Sequence, residues 1–91
     1  MGEVRQTVQI VNKRGLHARA SARFVGAVAQ MPDVKVRVHK DGHEAGGGSI
    51  LGLMMLGAAK GDCVDIVVSG DTAEDRLAEL VAMVEGGFGE D

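Results

Sequence analysis

Two stretches of this 91-residue chain repeat one helical spacing of apolar residues, and that repetition restricts the fold more than any other feature. Between residues 18 and 31, Ala20, Phe24, Ala27, Val28 and Met31 fall at i, i+4, i+7, i+8 and i+11. After Thr72, the residues Ala73, Leu77, Leu80, Val81 and Val84 do the same. A helix with one apolar stripe must bury it against something, and the intervening segments supply strands. Val34, Val36 and Val38 alternate with Lys35, Arg37 and His39, a half-buried strand with a basic outer face. Residues 5–11 alternate more loosely, with Val4, Val8 and Ile10 on one side, and residues 64–68 read as a further strand. Asp41-Gly42 is a hairpin signal, so a short strand near His43 returns antiparallel.

The punctuation is equally regular. Pro32-Asp33 ends the first helix, and Gly46-Gly47-Gly48 loosens the approach to a short helix over residues 50–55, with Ser49 as its N-cap. Thr72 with Asp75 three residues on resembles a capping box, Gly86-Gly87 stops the last helix, and the tail is expected to fray from about residue 87. The order is βαββαβα in a single domain over residues 1–91, which implies a two-layer α+β sandwich. Periodicity leaves the strand order open. With two Phe and no Trp or Tyr, the core must come from Val, Ala, Leu, Ile and Met.

Several function classes drop out. The single cysteine, Cys63, cannot form an internal disulfide, no apolar run reaches the ~18 residues of a membrane span, and the N-terminal residues lack a signal-peptide pattern. The expectation is a cytoplasmic domain with no membrane insertion. A net charge of −3 and the missing aromatics speak against nucleic acid. Charge is nevertheless segregated. Eight of the ten basic residues lie at or before Lys40, against only Glu3 and Asp33, so the N-terminal half suits anions or an acidic protein face.

Chemistry concentrates in Lys13-Arg14-Gly15-Leu16-His17-Ala18-Arg19, where a loop meets the first helix. Unpartnered N–H groups and about half a positive charge at that end favour phosphate. The same surroundings, with Arg14 and Arg19, disfavour an imidazolium, so His17 should stay neutral and nucleophilic near pH 7. Arg19 could fork onto phosphoryl oxygens. The other polar residues point to little: His39 and His43 lack a third metal ligand, Cys63 reads as a small packing residue, and Met54-Met55 as one core and one exposed side chain. Asp62 and Asp65 read as a turn residue and a solvent-face residue.

The stretch Gly15-Leu16-His17-Ala18-Arg19-Ala20-Ser21 resembles the active-site signature of the HPr family, the histidine-containing phosphocarriers of the phosphoenolpyruvate-dependent phosphotransferase system. Residues 48–61, Gly-Ser-Ile-Leu-Gly-Leu-Met-Met-Leu-Gly-Ala-Ala-Lys-Gly, resemble its regulatory serine motif. The resemblance runs from about Glu3 to Glu85. It implies an open-faced β-sandwich, four antiparallel strands covered by three helices. It also implies a carrier without turnover of its own, needing no cofactor or metal. Enzyme I would phosphorylate Nδ1 of His17, Arg19 would pair with the phosphoryl oxygens, and an enzyme IIA domain would accept the group, for sugar uptake or a regulatory branch. Ser49 would be the target of an HPr serine kinase/phosphorylase. Positions matching the family's docking surface are Ala20, Arg23 and Phe24 on the first helix and Ile50, Leu51 and Met54 on the second, in a protein expected to be a monomer. Ala20 stands where the family often has proline, and Gly46-Gly47-Gly48 where it often has a basic residue before the serine. The rival reading is a non-catalytic anion-binding or protein-interaction module with a ferredoxin-like fold, distinguished by the absence of a covalent phosphate.

Overall fold

Alternation in the strands and the 3.6-residue stripes of the helices meet on one face of a sheet in the computed structural model, which describes residues 2–90. The elements are β1 (Glu3–Gln9), α1 (Ala18–Ala29), β2 (Val34–Lys40), β3 (His43–Gly46), α2 (Ile50–Met55), β4 (Cys63–Gly70) and α3 (Ala73–Glu85), closed by a short turn over Gly87–Gly89. The four strands are antiparallel in the order β1-β4-β2-β3. The three helices cover one side, giving the open-faced sandwich that the resemblance implies.

In β4 the even positions Val64, Ile66 and Val68 enter the core, joined there by Val8, Val36, Val38, Phe24, Leu53, Leu77, Leu80 and Val84. The odd positions face away from the helices, and this period places Cys63 in solvent instead of packing it. Val67 is the exception on that face: it is 1% exposed, with Arg5 and Arg37 as its register partners on the two flanking strands. Asp65 accepts from Arg5 at 2.8 Å and from Thr7 Oγ1 at 2.6 Å, a solvent-face role as expected, and Asp62 accepts from the Ala59 N–H at 2.9 Å in its turn.

Four local readings are corrected. Thr72 caps α3 with its backbone only: its side chain makes no cap bond, and a ψ of 32° departs from the extended backbone that a capping box uses. In a helix as short as α2 one full inward position is available, and Leu53 takes it, leaving both Met54 and Met55 exposed. The glycine run is pinned, not loose, at its centre. Gly47 donates to the Val36 carbonyl at 2.8 Å, and a Cβ there would stand 2.7 Å from Val36 Cγ1. Finally, the tail does not fray at residue 87. Phe88 is 3% exposed and packs into the core, with φ at 57°, which turns the chain back toward the start of α1.

Candidate functional site

The segment between β1 and α1 is held from both sides. Ile10 exchanges backbone bonds with the loop before β4, donating to Asp62 and accepting from Gly61, each at 2.8 Å. Leu16 donates to the Ala58 carbonyl at 2.9 Å. Gly15 permits this close approach: its φ is +63°, and a Cβ would sit 2.2 Å from that same carbonyl oxygen. Asn12 is buried and staples the loop across itself, its Nδ2 donating to the Gly15 carbonyl at 2.8 Å.

His17 follows as the N-cap residue of α1, with extended backbone (φ −74°, ψ 179°), and its carbonyl accepts the first helical bond from Ser21 at 2.9 Å. Its side chain makes no cap bond, so the imidazole is free for other partners. Ser21, buried, donates to the Leu16 carbonyl at 3.2 Å and steadies the turn. A shallow concavity beside the histidine is lined by Lys13, Arg14, Arg19, Arg23, Gly89 and Glu90. Four cations converging at a helix N-terminus form a site for a dianion.

The partner of the imidazole is a residue that the sequence does not single out. Nε2 of His17 lies 2.7 Å from Oε2 of Glu90, while Oε1 of Glu90 accepts from Asn12 Nδ2 at 3.0 Å. The His17 side chain is 21% exposed and that of Glu90 is 14% exposed. Arg23 donates to the Phe88 carbonyl and ties down the same tail. Burial pushes the Glu90 carboxyl upward, but the hydrogen bonds from Asn12 and His17 and the Arg23 charge outweigh it, and the group is held below its ordinary value. The electrostatic surroundings of His17 are therefore not uniformly positive, as the flanking arginines alone suggest: a carboxylate faces one edge of the ring.

The remaining sequence-derived positions divide. Ser49 is exposed and caps α2, its Oγ accepting from the Gly52 N–H at 2.9 Å. Ile50, Leu51 and Met54 are exposed on α2, beside α1, with Leu51 at 67%. Arg23 is on the same side of α1 as the tail. Ala20 and Phe24, by contrast, are buried on the inward stripe of α1 and cannot offer side chains to a partner. Among the described residues no group of three His, Cys, Asp or Glu could hold a metal ion, and no helix is long and apolar enough to cross a membrane.

A single histidine presented at a helix start, beside a rim of cations and on an open-faced sandwich, makes an anion-binding site with an imidazole at its edge. Comparison with known proteins identifies the class more closely. Residues 4–86 match the PTS-HPr family, described as the PTS HPr component phosphorylation site. The phosphocarrier protein HPr of Neisseria meningitidis is 39% identical over 87 residues, covering 96% of this chain and 97% of that protein. The phosphocarrier protein NPr of Escherichia coli is 38% identical over 89 residues, 97% and 98% of the two chains. The crystal structure of HPr-C-His from Thermoanaerobacter tengcongensis superimposes with a TM-score of 0.88 at 38% identity, covering 100% of this chain and 99% of the other. The chain belongs to the HPr family. It is a phosphoryl carrier of the phosphotransferase system.

Proposed function

We propose that His17 takes its phosphoryl group on Nδ1 from phospho-enzyme I and surrenders it to enzyme IIA domains, with Arg19 neutralising the phosphoryl oxygens. The observation that carries this reading is the place of His17, uncapped at the start of α1 and flanked by Lys13, Arg14, Arg19 and Arg23. In-line transfer needs little more than position and charge neutralisation. Because one imidazole N–P bond breaks as another forms, the step is nearly balanced and runs either way. The protein turns nothing over alone; it is a cytoplasmic monomer, a substrate of one partner and a donor to the next.

Docking then matters as much as the nucleophile. Ile50, Leu51 and Met54 form an exposed apolar ridge on α2, which packs beside α1, the helix that carries Arg19 and Arg23. Adaptable methionine and aliphatic side chains suit successive partners. Ser49 stands at the edge of this ridge. A phosphate there, carrying about −1.5 to −2 charges, would meet the acidic partner face that the basic rim attracts, and so regulate transfer from enzyme I.

The test is intact mass after incubation with enzyme I, phosphoenolpyruvate and Mg²⁺. One acid-labile, alkali-resistant phosphate on the wild type and none on His17→Ala is expected. An unmodified wild type, beside an enzyme I that charges another carrier, would instead favour a module that binds anions without covalent chemistry.

A further inference from the structure

The contact between Glu90 and His17 has a chemical direction. An ionised carboxylate can only accept, so the 2.7 Å contact requires the proton on Nε2. A neutral imidazole with its proton on Nε2 has its lone pair on Nδ1. Glu90 is itself oriented: its second oxygen is held by the buried Asn12, which also clamps the Gly15 carbonyl two residues before the histidine. The loop, the ring and the tail are thus locked in one hydrogen-bonded chain, and the carboxylate is the member that decides which ring nitrogen is nucleophilic.

We propose that Glu90 is a positioning residue for phosphoryl transfer: by accepting from Nε2 of His17 it selects the tautomer whose Nδ1 lone pair attacks phosphorus, and it then faces the positive charge that the ring acquires. The proposal rests on the carrier reading above. Glu90 lies outside residues 4–86, the part of the chain that matches the family, so the match assigns it no role. In the forward step the Nδ1 lone pair forms the new N–P bond as the bond from phosphorus to the donor imidazole of phospho-enzyme I breaks, its pair leaving with that imidazole. No proton moves at Nδ1, because none is there. The His17 ring keeps its Nε2 proton, becomes cationic, and has the Glu90 carboxylate against that proton. The reverse step, toward an acceptor, leaves the ring neutral in the same tautomer, ready to be charged again. The logic is that of a carboxylate behind a catalytic histidine, transferred from proton abstraction to nucleophilic attack.

The experiment pairs a spectroscopic reading with a rate. Long-range ¹H–¹⁵N correlation of the His17 ring at a pH where it is neutral reports the tautomer without any phosphoryl transfer. The initial rate of charging by phospho-enzyme I reports function. Wild type should show the Nε2–H pattern. Glu90→Ala should show a mixture of tautomers and charge roughly tenfold more slowly, the loss of one hydrogen bond to a charged group. Glu90→Gln, whose amide oxygen can still accept but carries no charge, should keep the Nε2–H pattern at an intermediate rate. Glu90→Asp should fall nearer to Ala, because the shorter side chain no longer reaches both Asn12 and His17. The core amide spectrum serves as the control for folding. A Glu90→Ala ring that stays entirely Nε2–H, charged at the wild-type rate, would overturn the proposal while leaving the carrier reading intact. A wild type that is never charged would overturn the carrier reading instead, and the tautomer pattern would still stand on its own.

Discussion

Glu90 reaches His17 across 73 positions of sequence, Oε2 to Nε2 at 2.7 Å, and it does so because Phe88, two residues earlier, is sunk in the core. The aromatic ring is the anchor and the carboxylate is what it delivers. Phe88 adopts a left-handed backbone (φ 57°) that a phenylalanine does not favour, a cost accepted where burial and the Arg23 bond to its carbonyl over-determine the turn.

Truncating that anchor should therefore cost twice. Phe88→Ala is expected to lose about 3 kcal/mol of stability, as buried phenylalanines do when cut to alanine. It should also free Glu90 from His17. Urea unfolding reads the first effect and the His17 ring resonances the second; an unaltered unfolding midpoint would show that the ring is not packed as described.

Gly15→Ala is expected to be harmful out of proportion to one methyl group. The new Cβ would meet the Ala58 carbonyl oxygen at 2.2 Å and Ala59 Cα at 2.8 Å, both backbone atoms, from a left-handed position (φ +63°). A loss of at least about 2 kcal/mol is expected. Charging should slow as well, since the displaced loop carries His17. Thermal unfolding beside the charging rate checks both.

Acid should weaken the fold through its paired carboxylates. The Thr7 hydroxyl and the Arg5 guanidinium hold the Asp65 carboxyl below its ordinary value, against a smaller opposing effect of burial. A carboxyl lower in the folded than in the unfolded chain contributes stability above the unfolded value, and that contribution drains away as pH falls through the folded one. Asp65→Asn should therefore be less stable than wild type near neutrality, by under about 1 kcal/mol for so exposed a pair. The gap should close as pH falls below the folded value of Asp65, where the carboxyl is neutral in both folded and unfolded chains. The sign is the same for Glu90, so its hold on His17 and Asn12 should weaken as pH falls. Unfolding free energies at a series of pH values, with amide exchange at residues 88–90, would reveal either trend.

Two substitutions at one position separate a cap from a switch. Ser49→Ala removes the acceptor for the Gly52 N–H and should cost about 1 kcal/mol. Ser49→Asp retains an acceptor and should fold normally, yet be charged more slowly by enzyme I because of its negative charge. Equal charging rates for Ser49→Asp and wild type would remove the regulatory reading of this residue.

Much of this arrangement is legible in the linear sequence, for reasons that differ by element. All five residues of the second helical stripe, Ala73, Leu77, Leu80, Val81 and Val84, are buried in α3, and α2 spans residues 50–55 as the Ser49 N-cap and the apolar run after it suggest. Periodicity and local turn chemistry determine those features. The strand order is not local information: β1 pairs with β4, matching Glu3 to Ser69, and no short-range pattern encodes that. At the site, the histidine loop is legible through its glycine, its cations and the helix that follows. Glu90 is not, because a carboxylate in a glycine-rich tail has no period to betray it. One signal was available. Phe88 is one of only two aromatic residues in the chain, and a protein so poor in aromatics rarely leaves one in solvent. Asn12 likewise announces itself only through a bond that closes on Gly15 and Glu90 together. The assignment of Ala20 and Phe24 to a docking surface fails for a reason already visible in the stripe they belong to, which must point inward.

The antiparallel pairing of β1 with β4, and the return of the tail to His17, set a schedule for biosynthesis. Residues 3–17 are made before the strand that holds β1, which comes some sixty residues later, and the carboxylate behind the imidazole comes later still. Domains gather their long-range pairs only once the whole segment is available, and such non-local closures are slow. A nascent chain therefore displays its phosphorylatable histidine long before the surroundings that orient it exist. Full competence to be charged therefore follows the long-range closure of the fold, not the synthesis of the loop that carries His17.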